Sequence, residues 1–282
     1  MQGELPPYLD IARENLGQKH SVTLSIVPDN AALARRMAED MANAIRSARD
    51  HGRGATLIVP VGPVDQFPVL AELINAERLS LADTMLINMD EYLTDGDEWL
   101  PVDHPLSFRG FMDRCFYDHL DPALAPPLEN RIFPDPNAPT AIQRIIDERR
   151  GVDACFGGIG INGHIAFNEP PEPGETMTVE EFAALPTRVL SLSRETRTIN
   201  ANTVGGSIDV VPARCVTVGM REILAARTLK LYCNRPWQSA VVRKVLFGDV
   251  SPACPASLMR THPNASLTIT ELVAAKPAIG LR

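Results

Sequence analysis

Two segments of the chain carry side chains that could move protons. The first is residues 86–93, an apolar run that delivers two adjacent carboxylates, Asp90 and Glu91, at its end. Successive strand residues face opposite sides, so only one of the two can face a given pocket unless the backbone turns there. We predict that one is a general base and the other its support, because partial burial raises a carboxylate pKa toward the range that suits proton abstraction beside a carbonyl. For this segment alone, an ordinary acid pair at the start of a loop is the alternative.

The second segment, residues 157–170, is rich in glycine and reads Gly-Gly-Ile-Gly-Ile-Asn-Gly-His-Ile-Ala-Phe-Asn-Glu-Pro. Gly158, Gly160 and Gly163 allow the backbone to approach a small ligand and leave amides that can bind its oxygens. Their spacing also matches a dinucleotide-binding fingerprint, which requires a helix that opens at the third glycine. Pro170 and Pro171 interrupt such a helix, so the sequence argues against a nicotinamide cofactor.

His164 lies in this segment, and the carboxylate of Glu169 follows it closely. We predict that the two form a proton-handling pair, with a structural histidine as the alternative. No second histidine or cysteine lies at metal-ligand spacing from His164, so the sequence predicts no metal. The 5 cysteines are widely spaced and form no C-x-x-C pair, which argues against a disulfide framework.

The elements that must position these segments are strand-length apolar runs that alternate with stretches of helical spacing. The predicted strands are residues 22–27, 55–61, 84–89, 152–156, 189–192, 215–218, 229–233 and 267–269. The predicted helices are residues 31–49, 67–76, 108–120, 140–149, 221–226 and 238–247. This order predicts a Rossmann-like α/β fold, with a mainly parallel sheet covered by helices on both faces. Ligands of such sheets bind at the carboxyl ends of the strands, where both segments lie.

The connection after the second segment is rich in prolines and acids over residues 169–175. A lid and a rigid surface loop are both open interpretations of this connection. Thr178 and Glu181 then form a predicted capping box that begins a short helix.

The composition limits the partners and the location that we expect. The 282 residues carry a formal net charge of −8 without a basic patch, so we expect no nucleic-acid partner. No apolar run is long enough to span a bilayer, and acidic residues near the start argue against a signal peptide, so we expect a cytoplasmic protein without a membrane partner. We predict a single α/β domain over residues 21–282, with residues 1–20 as a possible N-terminal extension.

The two segments together resemble the signature sequences of the glucosamine-6-phosphate deaminase (isomerase) family. The similarity continues in the same order through residues 104–108, 217–220 and 255–258. It implies aldose–ketose isomerisation of an amino sugar with loss of ammonia, and it requires no metal or nucleotide cofactor. A small-molecule sugar substrate and a homo-oligomer are implied as well. The related 6-phosphogluconolactonases share the fold, but their glycine segment does not continue into the Phe-Asn-Glu-Pro of residues 167–170.

The resemblance also assigns roles to individual residues. Asp90 would move a proton between C2 and C1 of the opened sugar, and His164 would assist ring opening. Asn162 and Glu169 would orient His164 and tune its charge. Asn at position 162 holds a hydrogen bond but supplies no charge, whereas some family members carry Asp there. The predicted substrate-binding residues are Gly62, Glu91, Gly158, Gly160, Gly163 and Asn202.

The phosphate end departs from the family. Family members carry a Thr/Ser-Gly-Gly-Thr-Pro type of loop, whereas residues 60–67 read Pro-Val-Gly-Pro-Val-Asp-Gln-Phe. Prolines remove amide donors, and Asp65 would repel a dianion. An Arg and a Lys of the family align with Asn202 and near Gln238, so two cations are missing. Three nearby cations could substitute: Arg194, Arg197 and Arg235. We therefore predict a different, unphosphorylated sugar or polyol acid as the substrate.

Two other classes of function remain open. A 6-phosphogluconolactonase-like hydrolase would use His164 to activate water and would not need Asp90. A non-catalytic sugar-binding relative would tolerate a changed phosphate site, although Asp90, His164 and Glu169 are all in place. Replacing Asp90 with Asn separates hydrolysis from isomerisation, and exchange of solvent deuterium into C1 or C2 separates an enzyme from a binder.

Overall fold

A seven-stranded sheet lies at the centre of the computed structural model, which describes residues 4–18, 21–62 and 65–280. The strands, in chain order, are β1 (Thr23–Val27), β2 (Thr56–Val59), β3 (Met85–Asn88), β4 (Asp90–Leu93), β5 (Arg131–Ile132), β6 (Ala154–Gly158), β7 (Arg188–Ser191), β8 (Arg214–Thr217), β9 (Leu229–Cys233) and β10 (Ala265–Thr270). The central sheet has the order β1-β10-β9-β6-β2-β3-β5, and each neighbouring pair is parallel. The predicted mainly parallel sheet is therefore confirmed.

Helices pack on both faces of this sheet. They are α1 (Asn30–Asp50), α2 (Gln66–Glu77), α3 (Phe108–Cys115), α4 (Ala141–Glu148), α5 (Val179–Ala183), α6 (Arg194–Asn200), α7 (Met220–Leu224), α8 (Gln238–Phe247) and α9 (Glu271–Ala274). Strand β2 shows why both faces need cover: Ile58 enters one hydrophobic core, while Leu57 and Val59 enter the other. No helix within the described residues is long and apolar enough to cross a membrane.

The sequence patterns account for most of these helices. In α1 the buried residues Leu33, Met37, Met41 and Ile45 recur at helical spacing, and the Asp29 carboxylate caps the first turn by accepting from the amide of Ala32 at 2.8 Å. Helix α5 begins with the predicted capping box of Thr178 and Glu181. The helix predicted over 108–120 is shorter than expected, since α3 ends at Cys115 and a 3₁₀ turn, Tyr117–His119, follows.

A second, antiparallel sheet was not predicted. It has the order β4-β8-β7, so the predicted strands near 189–192 and 215–218 lie outside the parallel sheet. Met89 joins the two sheets: its amide donates to Val59 O at 2.9 Å, and its carbonyl accepts from the amide of Val218 at 2.7 Å. The chain leaves the parallel sheet at Met89, and Asp90 therefore begins a new strand rather than ending an old one.

The described part of the predicted N-terminal extension, residues 4–18, lies against α8 and α9. Its two 3₁₀ turns are Pro7–Asp10 and Arg13–Asn15, and Leu16 is completely buried in the core beyond them. The described residues before the predicted boundary near residue 20 thus pack against the predicted domain. The division into extension and domain stays a prediction.

Candidate functional site

The two proton-handling segments meet at the carboxyl edge of the parallel sheet. Strand β6 leads at its end into the glycine-rich segment, and β3 leads through Met89 into β4. On β8, Thr217 lies directly opposite Asp90, and its hydroxyl accepts a 3.0 Å hydrogen bond from the amide of Phe167. One residue thus joins the strand of Asp90 to the segment of His164 and Glu169.

The imidazole of His164 is held by three polar side chains at one nitrogen. Its Nδ1 lies 2.8 Å from Asn162 Oδ1, 3.2 Å from Thr196 Oγ1 and 3.4 Å from Glu169 Oε2. The Asn162 amide donates from Nδ2 to Glu169 at 2.5 Å, and since a carboxylate can only accept, this fixes the amide with Oδ1 toward His164. When the ring is neutral, Nδ1 consequently carries its hydrogen, and Nε2 presents a lone pair for proton transfer.

Glu169 completes this arrangement. Burial alone would raise its pKa, but the hydrogen bond and the charge of His164, with hydrogen bonds from Asn162 and Thr196, together lower the pKa to about 2. The amide of Ser193 approaches its other oxygen at 3.4 Å. Glu169 is therefore ionised throughout the neutral range. The predicted pairing of His164 with Glu169, with Asn162 between them, is present in the structure.

Two of the glycines place the imidazole. A Cβ at Gly160 would lie 2.1 Å from His164 Nε2, so no side chain fits where the ring packs. Gly163 has a φ of +91° and closely approaches Cys254. The amide of Gly160 donates to His164 O and that of Gly163 donates to Gly160 O, so both amides are used inside the loop. The amides of Gly160 and Gly163 are therefore not free to bind ligand oxygens, while the assignment of Gly158, Gly160 and Gly163 to substrate binding stays a prediction. Gly158 ends β6 beside Tyr232 of β9.

Asp90 and Glu91 take different environments. Burial, and then the nearby charge of Glu91, raise the pKa of Asp90 to about 8. Glu91 is fully buried, with its Oε1 accepting from the amides of Tyr92 and Phe108 and its Oε2 from the amide of Arg109, each at 2.9 Å. Its carboxylate therefore supports the start of α3 rather than facing a ligand. Asp90 is the one of the two that remains a candidate base.

The residues predicted to lie at the phosphate end of the substrate do not contact Asp90, His164 or Glu169. Gly62 is exposed and directly precedes a part of the chain outside the described residues. Asn202 is also exposed, and its side chain donates back to Ile199 O at 2.9 Å. Gln238 is buried instead: its Nε2 donates to Ile159 O, and its Oε1 accepts from the amides of Asn234 and Arg235.

Thr196, Ser193 and Thr217 are polar residues of the site that the sequence analysis missed. The one available signal was the spacing of Ser193 and Thr196, since Ser193 caps α6 by accepting from the amide of Thr196 at 3.2 Å. Among the described residues, no cluster of histidine, cysteine and acidic side chains could hold a metal ion. The expectation that the protein uses no metal or other cofactor stays a prediction.

Comparison with known proteins decides the family. A glucosamine-6-phosphate deaminase of Caenorhabditis elegans is 31% identical over 251 residues, which cover 87% of this chain and 89% of that protein. The deaminase of Streptomyces coelicolor is 31% identical over 259 residues, which cover 89% and 91%. The chain belongs to the glucosamine-6-phosphate deaminase family. A scan against protein-family models finds none that matches.

Solved structures agree with membership of the deaminase family. A monomeric glucosamine-6-phosphate deaminase superposes with a TM-score of 0.77 at 27% identity, covering 91% of this chain and all of that one. The 6-phosphogluconolactonase of Trypanosoma brucei superposes with a TM-score of 0.62 at 14% identity over 91% of this chain and 98% of that one, which shows a shared fold. The prediction of a deaminase-like and isomerase-like enzyme is confirmed.

Proposed function

We propose that this enzyme isomerises and deaminates an amino sugar, with Asp90 as the base that moves a proton between C2 and C1. The observation that carries the proposal is the position of Asp90 opposite Thr217, whose hydroxyl binds the segment of His164 and Glu169. A buried carboxylate with a raised pKa is a stronger base than a solvated one, and it can abstract a carbon-bound proton beside a carbonyl.

The reaction balances with water as the co-reactant. His164, through Nε2, takes the proton from the O1 hydroxyl of the closed sugar and returns it to the ring oxygen, which opens the ring to the aldehyde. Asp90 then removes the C2 proton, the electron pair of the C–H bond forms a C1–C2 double bond, and O1 takes a proton from the substrate's own ammonium group, which leaves a neutral enolamine. Return of the proton from Asp90 to C1 leaves a protonated imine at C2. Water hydrolyses that imine to the ketone and releases ammonia as the ammonium ion.

The same proposal includes a substrate without a 6-phosphate group. Gln238 stands near the position of a family cation, but it is neutral and its amide is used in bonds to Ile159, Asn234 and Arg235. Asn202 stands at the position of the other and is bonded to its own turn. A phosphate dianion requires charge-assisted hydrogen bonds, so the loss of both cations favours a neutral sugar end.

Turnover of glucosamine and glucosamine 6-phosphate, compared in D₂O, tests both parts. We expect deuterium at C1 and release of ammonia from the unphosphorylated sugar. Asn202→Arg should lower the KM for glucosamine 6-phosphate about 10-fold by adding a charged hydrogen bond, and Thr203→Arg, at the adjacent exposed residue, should not. Efficient turnover of only the phosphorylated sugar by the wild type would refute the unphosphorylated substrate and leave the reaction intact.

If the wild type exchanges no deuterium into any amino sugar, the proposed isomerisation is refuted instead. A lactonase-type hydrolase is then the alternative, and lactone hydrolysis that survives Asp90→Asn would identify it. Homo-oligomeric assembly and a cytoplasmic location stay predictions. One solved glucosamine-6-phosphate deaminase is a monomer, so light scattering after size-exclusion chromatography is the direct check of assembly.

A further inference from the structure

Helix α6 places a buried hydroxyl against the catalytic imidazole. Thr196 is completely buried, and its Oγ1 lies 3.2 Å from His164 Nδ1. The helix is fixed at this point, because the Ser193 hydroxyl accepts from the amide of Thr196 and itself lies 3.4 Å from Asn162 Nδ2. Thr196 therefore lies in the same hydrogen-bonded group as Asn162, His164 and Glu169.

The donors and acceptors around Thr196 determine the acceptor of its hydroxyl hydrogen. His164 has one hydrogen on Nδ1, and the near acceptor at 2.8 Å, Asn162 Oδ1, takes it. The hydroxyl hydrogen of Thr196 then has the Glu169 carboxylate as its acceptor, in agreement with the hydrogen bond from Thr196 that favours the ionised form of Glu169. Thr196 thus contacts both members of the pair and can fix their relative position.

The same helix also reaches the other half of the site. Asn200 lies one turn beyond Thr196 on the same face of α6, and its Nδ2 donates to Tyr92 Oη at 2.9 Å. Tyr92 belongs to β4, the strand that begins with Asp90. Helix α6 therefore connects the segment of His164 with the strand of Asp90 through two side chains of one face.

We propose that Thr196 is a positioning residue, whose hydroxyl holds the His164 ring and the Glu169 carboxylate in the geometry that proton transfer needs. The proposal rests on the proposed function for its kinetic consequences, but the contact between Thr196 Oγ1 and His164 Nδ1 can be tested without turnover. Thr196 touches no reacting atom in this assignment, and it acts through His164 and Glu169.

The test compares three variants of α6. Thr196→Val keeps the shape and removes the hydroxyl, Thr196→Ser keeps the hydroxyl, and Thr198→Val removes an exposed hydroxyl that donates to Arg194 O one turn earlier. We expect Thr196→Val to lower kcat about 10- to 100-fold with little change in KM, because a hydrogen bond to a charged group is lost. The pKa of Glu169 should also rise, because the hydrogen bond from Thr196 favours its ionised form. Thr196→Ser should restore kcat, and Thr198→Val should leave it unchanged.

A ¹⁵N NMR spectrum of the histidine side chains supplies the readout that needs no activity. In Thr196→Val the Nδ1 signal of His164 should shift, whereas Thr198→Val should leave it in place. If Thr196→Val does not fold, Thr196→Ala takes its place. A wild-type kcat and a wild-type Nδ1 signal in the variant lacking the hydroxyl would overturn the proposal, and so would a folded Thr196→Ser variant as impaired as Thr196→Val. If Thr196→Val alters the Nδ1 signal but the wild type is inactive on every amino sugar, the proposed function is overturned and the role of Thr196 is not.

Discussion

Asp90 and Glu91 are adjacent in the chain, yet their carboxylates differ in role: Asp90 is the candidate base, and Glu91 binds the start of α3. Both oxygens of Glu91 accept hydrogen bonds from the residues around the start of α3, although burial, the largest influence, still raises its pKa. Burial beside the negative charge of Glu91 raises the pKa of Asp90 to about 8. Asp90 is then mostly protonated at neutral pH, so kcat/KM should rise with pH through about 8 as the active base forms.

Replacing Asp90 with Asn should abolish proton transfer and stabilise the fold at alkaline pH. Because the folded-state pKa of Asp90 lies above the unfolded value, its contribution to stability is complete below about pH 4 and is lost as the pH rises through about 8. The Asn variant avoids this loss. Its free energy of unfolding in urea should exceed that of the wild type by roughly 2–4 kcal/mol at pH 8.5 and by much less at pH 5.

The matched control for this measurement is Asp209→Asn, since Asp209 is exposed. It should show no gain that grows with pH. An Asp90→Asn protein that is no more stable than the wild type at pH 8.5 would contradict the assigned environment of Asp90.

At the scale of elements, the Glu91 side chain connects β4 to α3. Glu91→Gln should weaken this junction by about 1–3 kcal/mol, because a Gln nitrogen cannot accept the bonds that one carboxylate oxygen now accepts from Arg109 N and Ser107 Oγ. The substitution also removes a negative charge beside Asp90, so the pKa of Asp90 should fall and the rising limb of kcat/KM should move to lower pH. Glu129→Gln, at an exposed residue, should leave both quantities unchanged. A limb that does not move would show that Asp90 is not the titrating base.

Helices and strands with an apolar inner face could be predicted from the sequence, whereas those with a polar inner face could not. Helix α1 and strand β2 have apolar inner faces, and their sequences show the matching periods. Helix α6 shows no apolar helical period, because its buried residue Thr196 faces an imidazole. Strand β4 is short and begins with two carboxylates, and its partner β8 is distant in the chain. A local pattern contains no information about that antiparallel pairing, so the second sheet could not be predicted.

Some residues of the candidate site could likewise be predicted from the sequence, and others could not. Asn162, His164 and Glu169 lie within one short segment, and their grouping could be predicted from it. Thr196 and Thr217 approach this group from distant parts of the chain, and their residue types are common on surfaces. The choice between Asp90 and Glu91 also needed the fold, because it depends on which carboxylate the start of α3 occupies.

At the scale of the whole molecule, one buried cation joins the N-terminal segment to the C-terminal helices. Arg243 of α8 is completely buried, and its guanidinium donates to Ile11 O at 2.9 Å, Ala274 O at 2.9 Å and Ser239 O at 3.0 Å. Burial lowers its pKa, but the guanidinium group remains charged because its ordinary pKa is far above neutrality. Five hydrogen-bond donors in one plane suit a site where three chain segments present carbonyls.

Arg243→Met should therefore detach residues 4–18 from the rest of the protein. The substitution keeps an unbranched apolar stem but removes the guanidinium donor from the carbonyls of Ile11 and Ala274, which should cost about 2–4 kcal/mol of unfolding free energy. Trypsin should then cut after Arg13 earlier than in the wild type, while the core stays intact, and mass spectrometry of the digest identifies the site. Arg144→Met, at an exposed residue of α4, should alter neither stability nor cleavage. Equal cleavage rates in Arg243→Met and the wild type would mean that Leu16, buried in the core, is sufficient to hold the segment.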